Sequence, residues 1–562
     1  MSTPLPPMPG APSWPHCAHG ADPVADPVGC RGIQVTGHTA CLAHLAATDR
    51  DAYLNGLTPG TDIDHRGTPF TEDLLNRLLT ALHDPTTGEP HIGAAWFDWA
   101  TFTGTAWFVG ATFTGDAKFG RVTFAGDAKF AGAAFTGDAG FAGATFAGDA
   151  GFAGAIFTGD AKFAGAIFTG DARFAGAIFT GDAGFAGARF ETVSRLGPLV
   201  CGARVVLDGA VFGQPVTVEM AAREVSCART RWISTATLHL RYAEVDLRDA
   251  ILEYPVVVAA RPDPFSFHRS GSPLSEAELS GREPGVRLTS VGGVDAAHLA
   301  LHTIDLSMCR FAGAVHLDQL RVDGWCTFAT TPTDRGRRFP WRWSRRNTLA
   351  EEHHWRVRTA RRPARAHGWT APPSDAPELR PAAVAALYRQ IRKSLEDGKN
   401  EPDAADFYYG ECEMRRHDTF RSRGERMLLT AYWALSGYGL RATRALAWLG
   451  AAMTATIAVM VLWGLPVDDP KPTTTGRQAA VGQQVTLTTD TPDPVNPTGP
   501  LPDRVTGERF EKALRVVINS VVFRSSGQDL TTTGTYAEMT SRLAEPVLLG
   551  LVVLAVRSRV KR

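Results

Sequence analysis

The sequence has little cysteine and no net charge. Its eight cysteines in 562 residues show no paired spacing, which excludes a disulfide scaffold and favours a reducing compartment. Lys+Arg and Asp+Glu both total 58, so bulk attraction to nucleic acid is excluded and nucleic acid is not an expected partner. The N-terminus lacks a basic cluster followed by an apolar run, so no secretory signal is predicted. Residues 1–15, rich in proline, are expected to be disordered.

Catalytic motifs are also missing. The chain has no Gly-x-Gly-x-x-Gly between a strand and a helix, no phosphate loop ending in Gly-Lys-Ser/Thr, no Gly-x-Ser-x-Gly and no His-Glu-x-x-His. We therefore predict no catalytic residue and no organic cofactor, and an enzymatic function is disfavoured.

What the chain does have is a phenylalanine repeat. Between Phe97 and Phe190 the gaps alternate strictly between five and six residues, with Ala two positions before each Phe of a typical unit and Gly two positions after. Such spacing scatters the rings around an α-helix, so a helix is excluded. It suits a solenoid in which Ala and Phe point inward and coils stack at about 4.8 Å.

These A-x-F-x-G units resemble the pentapeptide-repeat family. The resemblance implies a mainly β fold, a right-handed quadrilateral β-solenoid, followed here by a helical hairpin and two transmembrane helices. One extra Asp in every second unit predicts about 22 residues per coil and two widened corners. We expect the solenoid over residues 91–329, with an inserted loop at 261–285. The predicted core includes Phe119, Phe130, Phe141, Phe152, Phe163, Phe174 and Phe185.

The extra aspartates form the most regular polar feature of the repeat, at positions 116, 127, 138, 149, 160, 171 and 182. Asp after Gly at a turn accepts backbone N–H bonds, so corner chemistry is the favoured interpretation. A calcium-binding edge and an acidic face that mimics DNA are the alternatives.

A metal site is the second candidate. Residues 16–90 are read as a Cys/His-containing region with a helical cap, and Cys17, Cys30, Cys41 and His44, with His19 nearby, supply soft ligands for a structural zinc. The spacing matches no standard zinc finger, so unliganded cysteines and surface histidines remain the alternative.

An arginine patch follows the solenoid. Eleven arginines lie between Arg335 and Arg365, interleaved with tryptophans, inside a segment 330–380 that we interpret as a linker. Contact with anionic lipid and a plain solvated linker are both open. The string Glu351-Glu352-His353-His354 within it is predicted to be ordinary helix surface.

The C-terminal third predicts a membrane protein. We expect a helical hairpin at 381–420, similar to the paired helix of membrane-bound pentapeptide-repeat proteins, then an interfacial helix at 421–444. Residues 445–467 carry no charge and are long enough to cross a bilayer. A loop at 468–509 leads to a re-entrant or amphipathic segment at 510–535 and to a second, shorter span with a basic tail at 536–562. The apolar run of that span is interrupted by Glu545, and the flanking arginines place both termini in the cytoplasm.

The segment 510–535 is similar in layout to the pore region of two-span cation channels. Asn519, Gly527 and Asp529 are its candidate residues, although a carbonyl-lined potassium filter is absent from the sequence.

We predict a membrane-anchored scaffold or sensor that acts through protein–protein contacts. The alternatives are a channel-like protein with a regulatory solenoid and a membrane-associated oxidoreductase, a label that some similar chains carry without support from any fingerprint here. The protein partner is unknown, membrane lipids are expected partners, and a homo-oligomer is left open.

Overall fold

The computed structural model describes residues 10–267, 271–332, 345–467, 471–477, 480–482, 484–522 and 524–560. The chain divides into two compact units. The first comprises Met1–Leu379 with Ala386–Asn400, and the second comprises Arg380–Ala385 with Glu401–Arg562.

The first unit is a parallel β-solenoid of about ten turns, which confirms the predicted fold. Each coil has four sides, because each five- or six-residue unit contributes one short strand before the chain turns. The sides are numbered in the order in which the chain visits them.

The strands group by side as follows. Side 1 contains His91–Ile92, Thr112–Phe113, Ala134–Phe135, Ile156–Phe157 and Ile178–Phe179, and it continues through Val200 and Ala221 in the middle of the long strands Arg195–Val206 and Val216–Ser226. Side 2 contains Ile63–Asp64, Ala95–Trp96, Ala117–Lys118, Ala139–Gly140, Ala161–Lys162, Ala183–Gly184, Glu244–Asp246 and Arg287–Ser290. Side 3 contains Pro69–Phe70, Thr101–Phe102, Thr123–Phe124, Thr145–Phe146, Ile167–Phe168, Arg189–Phe190, Val211–Phe212, Arg231–Trp232 and Ile251–Leu252. Side 4 contains Ala106–Trp107, Ala128–Lys129, Ala150–Gly151 and Ala172–Arg173 and, in the later coils, Ala236–Arg241, Val256–Ala260, Leu299–His302 and Arg321–Asp323. The long strands Arg195–Val206 and Val216–Ser226 run from side 4 across side 1 to side 2.

The strand register gives the coil length. Ala117 pairs with Ala139, and Phe102 pairs with Phe124, 22 positions further on, as the extra Asp predicted. After Phe190 the Gly-Asp extensions disappear from the sequence, and the spacing falls to 20 positions, as between Val216 and Ala236. The first strands, at Ile63 and Pro69, precede residue 91, so the solenoid begins earlier than expected.

Stacked phenylalanines fill the axis. Phe135 and Phe157, one coil apart, have ring centroids 4.8 Å apart and planes inclined by 1°. The side 3 column ends with Phe212 stacked on Trp232 at 4.3 Å. All seven phenylalanines named as core from the sequence have zero exposure. The core therefore follows directly from the A-x-F spacing.

Two kinds of glycine allow the coils to stack. At Gly159 a Cβ would lie 2.6 Å from the carbonyl oxygen of Gly137 on the preceding coil, so any side chain would push the coils apart. Gly165 instead has φ +66° and open space around it. It turns a corner in a conformation that other residues rarely adopt.

The loop expected at 261–285 lies at the corner between sides 1 and 2. It packs Phe265, Leu274 and Leu279 onto Val200 and Ala221 of side 1. Nearby, Arg241 pairs with Glu276 at 2.8 Å, with both side chains almost fully buried. The insertion is therefore an ordered cover over one side of the solenoid.

Both ends of the solenoid carry helices. The N-terminal region contains α1 (Ala47–Asn55) and α2 (Glu72–Ala81), in agreement with the predicted helical cap. At the other end lie α3 (Ala350–Thr359) and the short α4 (Pro363–Ala366), with the antiparallel pair Ala329–Thr330 and Asn347–Thr348. Glu351 of α3 accepts backbone N–H bonds from Phe311 at 2.5 Å and from Ala312 at 2.9 Å, which ties α3 to the last coils.

The expectation that residues 351–354 are ordinary helix surface is wrong, because all four side chains are buried. Glu352 receives two 2.6 Å hydrogen bonds from Arg346, one of 2.7 Å from Arg356 and one of 2.5 Å from the Tyr388 hydroxyl. Burial by itself raises the pKa of Glu352, but the two guanidinium groups outweigh it and lower the pKa to about 2. The segment read as a linker thus contains a buried, charge-paired cap.

Two helices, α5 (Pro381–Asp397) and α6 (Glu401–His417), occupy the segment 381–420 where a hairpin is expected, and the division between the two units falls within this segment. In the first unit, Ser394 of α5 donates to the carbonyl of Leu320 at 2.5 Å, and Lys393 pairs with Asp318. Residues 386–397 of α5 therefore form part of the solenoid's C-terminal cover.

The second unit contains the remaining helices. They are α6, α7 (Arg423–Ser436), α8 (Ala442–Val459, extended by a π turn at Met460–Gly464), α9 (Gly507–Val521) and α10 (Thr532–Val560). A strand pair, Thr473–Gly476 with Leu487–Asp490, lies between α8 and α9 in the chain. Two helical stretches, Ala442–Gly464 and Thr532–Arg557, are long and apolar enough to cross a membrane. The second is one continuous helix, in contrast to the short span expected from its 11-residue apolar run.

Candidate functional site

The structure brings the four predicted metal ligands together. The sulfur atoms of Cys17, Cys30 and Cys41 and a ring nitrogen of His44 all lie within 4.8 Å of one another. The Cys30 and Cys41 sulfurs are 3.8 Å apart, and His44 Nδ1 lies 3.5 Å from Cys17 Sγ and 3.4 Å from Cys41 Sγ. Tetrahedral zinc, with bonds of about 2.3 Å to sulfur and 2.0 Å to nitrogen, requires edges of about 3.8 and 3.5 Å. The four residues could therefore hold a metal ion.

Backbone pairing of two short segments creates this geometry. The N–H of Cys17 donates to Gly32 O at 2.8 Å and that of Cys30 donates to His19 O at 3.0 Å, which sets Cys17 and Cys30 on facing backbone segments. The N–H of His44 donates to Cys41 O at 2.9 Å, so the Cys-x-x-His turn presents both side chains on one side. His19, the fifth soft ligand noted in the sequence, stacks on the His44 ring at 4.1 Å.

The local electrostatics favour one thiolate in the group. A hydrogen bond between Cys30 and Cys41 lowers the pKa of the Cys30 thiol to about 5 and raises that of Cys41. The N–H of Gly32 also approaches Cys30 Sγ at 3.5 Å. Thiolates are the ligands that zinc prefers, so the donor set fits that metal.

The same region is fastened to the first coil. The N–H of Ile33 donates to Arg66 O at 2.8 Å. Trp14 Nε1 donates to Arg31 O at 2.9 Å, and the Arg66 guanidinium lies 5.0 Å from the Trp14 ring. Trp14 belongs to the segment 1–15 that we expected to be disordered; residues 1–9 of that segment lie outside the described residues. A metal held by the four ligands would join the N-terminal segments to one another, and the contacts of Ile33 and Trp14 with Arg66 fix these segments to the solenoid.

The aspartate row forms two ladders along opposite corners. Six of the seven aspartates accept a hydrogen bond from the backbone N–H one coil further on, as Asp138 does from Asp160 at 3.1 Å and Asp149 does from Asp171 at 3.2 Å. Lys162 pairs with Asp138 at 2.6 Å, and Arg173 bridges Asp149 and Asp171. The carboxylates are thus used by the corners and by neighbouring cations, in agreement with the favoured interpretation of the row.

The arginine patch is not one surface. Arg346 and Arg356 are buried against Glu352, and Arg358 donates to the carbonyls of Ala376 and Pro377. Arg335, Arg337, Arg338 and Arg342, with Trp341 and Trp343, lie outside the described residues. Arg345, Arg361 and Arg362 are exposed.

The pore-like residues are not among the fully buried polar side chains of the second unit. Asp529 and Gly527 are exposed, and Asn519 is half-buried. Ser520 and Thr531, which are close to them in the chain, are fully buried, as is Glu545 further along α10. The sequence signal for Glu545, a lone acid inside an apolar run, was present but was interpreted only as an interruption of the span.

The guanidinium groups of Arg504 and Arg509 close the end of α8. Arg509 donates to the carbonyls of Val461, Leu465 and Pro466 at 2.7 to 3.1 Å, and Arg504 donates to that of Leu462 at 2.9 Å. The carbonyls at the end of a helix have no helical partners, so the two arginines satisfy those at the end of α8.

Comparisons with known proteins agree with the repeat. The family described as Pentapeptide repeats (9 copies) matches residues 119–167, the middle of the phenylalanine-rich coils. No curated protein and no solved structure matches the chain. Neither the channel-like alternative nor the oxidoreductase alternative gains support from these findings.

Proposed function

We propose that the protein is a membrane-anchored scaffold or sensor whose solenoid binds a protein partner. The observation that carries the proposal is a long pentapeptide-repeat solenoid in one chain with two apolar helices of membrane-spanning length. Repeat solenoids supply a rigid extended surface, because the core residues are fixed while the outward positions are free to vary.

Side 1 is the surface best suited to a partner. The inserted segment already covers Val200 and Ala221 with apolar side chains. The preceding coils of the same side present Ile156, which is 45% exposed, and the half-buried Ile178. An apolar segment of a partner protein placed there would continue the packing that the insertion begins.

Photo-crosslinking in intact cells tests this surface. A photoreactive amino acid at Ile156 of the full chain should give a discrete adduct with one protein. The same group at Thr145 on side 3 is the matched control and should not give that adduct. Loss of the adduct in an Ile178→Asp background would support side 1, whereas equal adducts from both positions would contradict it.

The proposed topology has two spans with both termini in the cytoplasm. Arg441 and Arg444 lie at the start of the first apolar helix and Arg557 lies at the end of the second, so the positive-inside rule predicts that these ends are on the same side. Trypsin added to sealed inverted vesicles should spare Lys471 and Arg477 between the spans. Cleavage there without detergent, in vesicles of verified orientation, would contradict the topology.

Anionic lipid is proposed as a second partner of the exposed arginines. Arg361 and Arg362 are available, whereas Arg346 and Arg356 are occupied by Glu352. The full-length protein in nanodiscs should have a higher Tm with phosphatidylglycerol than with phosphatidylcholine alone. The double variant Arg361→Gln and Arg362→Gln should reduce this difference, and an unchanged difference would remove these two arginines from the lipid site.

We further propose that the cluster of Cys17, Cys30, Cys41 and His44 holds a structural zinc ion. Elemental analysis of the full chain, purified without chelator, should give one zinc per chain, and Cys41→Ser should lose it. Cys412→Ser, a buried cysteine far along the chain, is the control and should retain it. A wild-type protein without bound metal would refute the proposal.

A further inference from the structure

Glu545 is a buried carboxyl at the middle of a helix long enough to cross a membrane. It lies 13 residues after Thr532 and 12 before Arg557, which at a rise of about 1.5 Å per residue puts it about 20 and 18 Å from the two ends. The side chain has zero exposure. Oε1 accepts a hydrogen bond from Thr456 Oγ1 of α8 at 3.0 Å, while Oε2 has no partner among the described residues.

Polar groups continue from Glu545 along one face of α10. Ser541, four residues earlier, donates to Ser520 of α9 at 2.9 Å, and both side chains are buried. Glu538, three residues before that, accepts the N–H of Ser526 at 2.8 Å. Since residues three and four apart share a helix face, these groups form a continuous polar row.

The row leads toward a cavity. Ser526 is followed by Gly527, Gln528 and Asp529, which line a cavity of about 690 Å³ together with Arg509. Gln528 Oε1 is buried and has no partner among the described residues. Polar groups therefore extend from the cavity as far as Glu545.

The other half of the bundle is apolar. Beyond Glu545, α10 buries Leu548, Val552 and Ala555, and α8 buries Ala445 and Leu449. The polar side chains of α10 thus lie on the cavity side of Glu545, and the buried side chains of α8 and α10 on its other side are apolar.

Few charged groups compete for this carboxyl. The sequence of α8 from position 445 to 464 contains none. On α10 the neighbours in the chain are Glu538 and the half-buried Arg542. Two further helices pack on α10. The charged residues of α9 lie more than one helical turn before Ser520, and those of α7 lie at its start. They are Glu508, Arg509, Glu511, Lys512 and Arg515 on α9 and Arg423, Glu425 and Arg426 on α7.

We propose that Glu545 is a proton-binding site inside the membrane, loaded from the cavity side through Glu538 and Ser541. The inference rests on the membrane insertion proposed above. An ionised carboxylate at mid-bilayer is costly, so the carboxyl carries a proton when the row delivers one. Loss of that proton places a charge between α8 and α10, which couples the pH on one side of the membrane to the packing of the anchor.

The test uses the full-length protein in phosphatidylcholine/phosphatidylglycerol liposomes and N,N′-dicyclohexylcarbodiimide. This apolar reagent adds the O–H of a protonated carboxyl across one C=N bond and remains attached, so peptide mass mapping locates it. Glu545 should be modified at pH 6, and Glu545→Gln should abolish that modification. Glu511→Gln, at a 64% exposed side chain, is the matched control and should leave it unchanged.

The decisive measurement compares the effect of pH on the two sides of the membrane in the wild-type protein. Raising the pH from 6 to 9 on the cavity side should reduce modification of Glu545 at least tenfold, and raising it on the other side should have no effect. Ser541→Ala should weaken the response to the cavity side. Modification that is absent at pH 6, or that follows the pH of the other side or of neither side, overturns the proposal.

Trypsin separates this failure from failure of the anchor. Protection of Lys471 and Arg477 from one side shows that the helices are inserted, so an unmodified Glu545 then refutes only the proton site. Cleavage on both sides of the 442–464 helix from the same compartment refutes the membrane insertion itself.

Discussion

Removing one ring from the phenylalanine stack should cost nearly half the stability of an ordinary domain. Phe141 has zero exposure and stacks between Phe119 and Phe163, each at 4.9 Å. It also makes edge contacts at 5.5 Å with Phe130 and Phe152. Backbone hydrogen bonds between coils hold the spacing, so the void left by Phe141→Ala cannot collapse. Burial of a phenylalanine of this kind is worth about 3–5 kcal/mol, and we expect a loss near 4 kcal/mol.

Thiol labelling in urea measures this loss in the full-length protein in detergent. Burial raises the pKa of Cys201, inside the solenoid, to about 12, so its thiol should react only when the coils open. With an m-value of about 1–3 kcal/mol per molar urea, the midpoint for labelling should fall by about 1.3–4 M. Thr145→Ala, at an outward position of the adjoining side, should change stability by less than about 0.5 kcal/mol. A loss below about 1.5 kcal/mol for Phe141→Ala would show that the stack does not hold the coils.

Three further outcomes are expected of the same unit. Gly159→Ala should destabilise the solenoid more than Gly165→Ala in urea titrations. The methyl group at position 159 would meet the backbone of the preceding coil, whereas the one at position 165 costs only about 1–2 kcal/mol of left-handed strain. The reverse order would contradict the stacking argument. Glu352→Gln should cost about 3–5 kcal/mol, since Arg346 and Arg356 lose a buried counter-charge, and an unchanged Tm would refute the role of this network. Burial lowers the pKa of His353 in the folded protein to about 4. As the pH drops from about 6.5 toward 4, this histidine is protonated in the unfolded chain but not in the folded protein, so stability should fall. His353→Gln should make Tm less sensitive to this change, and an equal sensitivity would point to other groups.

The solenoid was predictable because consecutive short sequence units supply the residues of its core. Each Phe lies two residues after its Ala, so the inward positions follow from local spacing alone, and one additional Asp per two units gives the length of the coil. The shortening after Phe190 follows from the loss of that Asp. What the spacing could not reveal was that Ile63 and Pro69 already form the first coil, because α2 separates them from the regular repeat.

The buried cap was not predictable from composition. Glu352 stands among arginines and histidines that read as a solvated helix, and its burial depends on Tyr388, 36 residues later. The metal ligands were found by chemical type, since three cysteines and a Cys-x-x-His turn lie close in the chain. Their selection over His19 depends on strand pairing that the spacing does not encode. Asn519, Gly527 and Asp529 were chosen because the order of segments resembles that of two-span channels. That order gives no information about the buried polar side chains that continue to Glu545.

The 22-residue coil consists of two similar halves of 11 residues, marked by successive aspartates such as Asp127 and Asp138. A deletion of 22 residues between equivalent positions would shorten the solenoid by one coil, about 4.8 Å, and leave every later residue on its own side. A deletion of 11 residues would preserve the inward Ala and Phe pattern equally well but would turn all later coils by half a revolution about the axis. The segment 261–285 would then lie over the opposite side. The number of residues between two points of the solenoid therefore determines which side each point faces as well as the distance between them. Only insertions or deletions of whole coils keep a partner bound to an earlier coil on the same side as the segment 261–285.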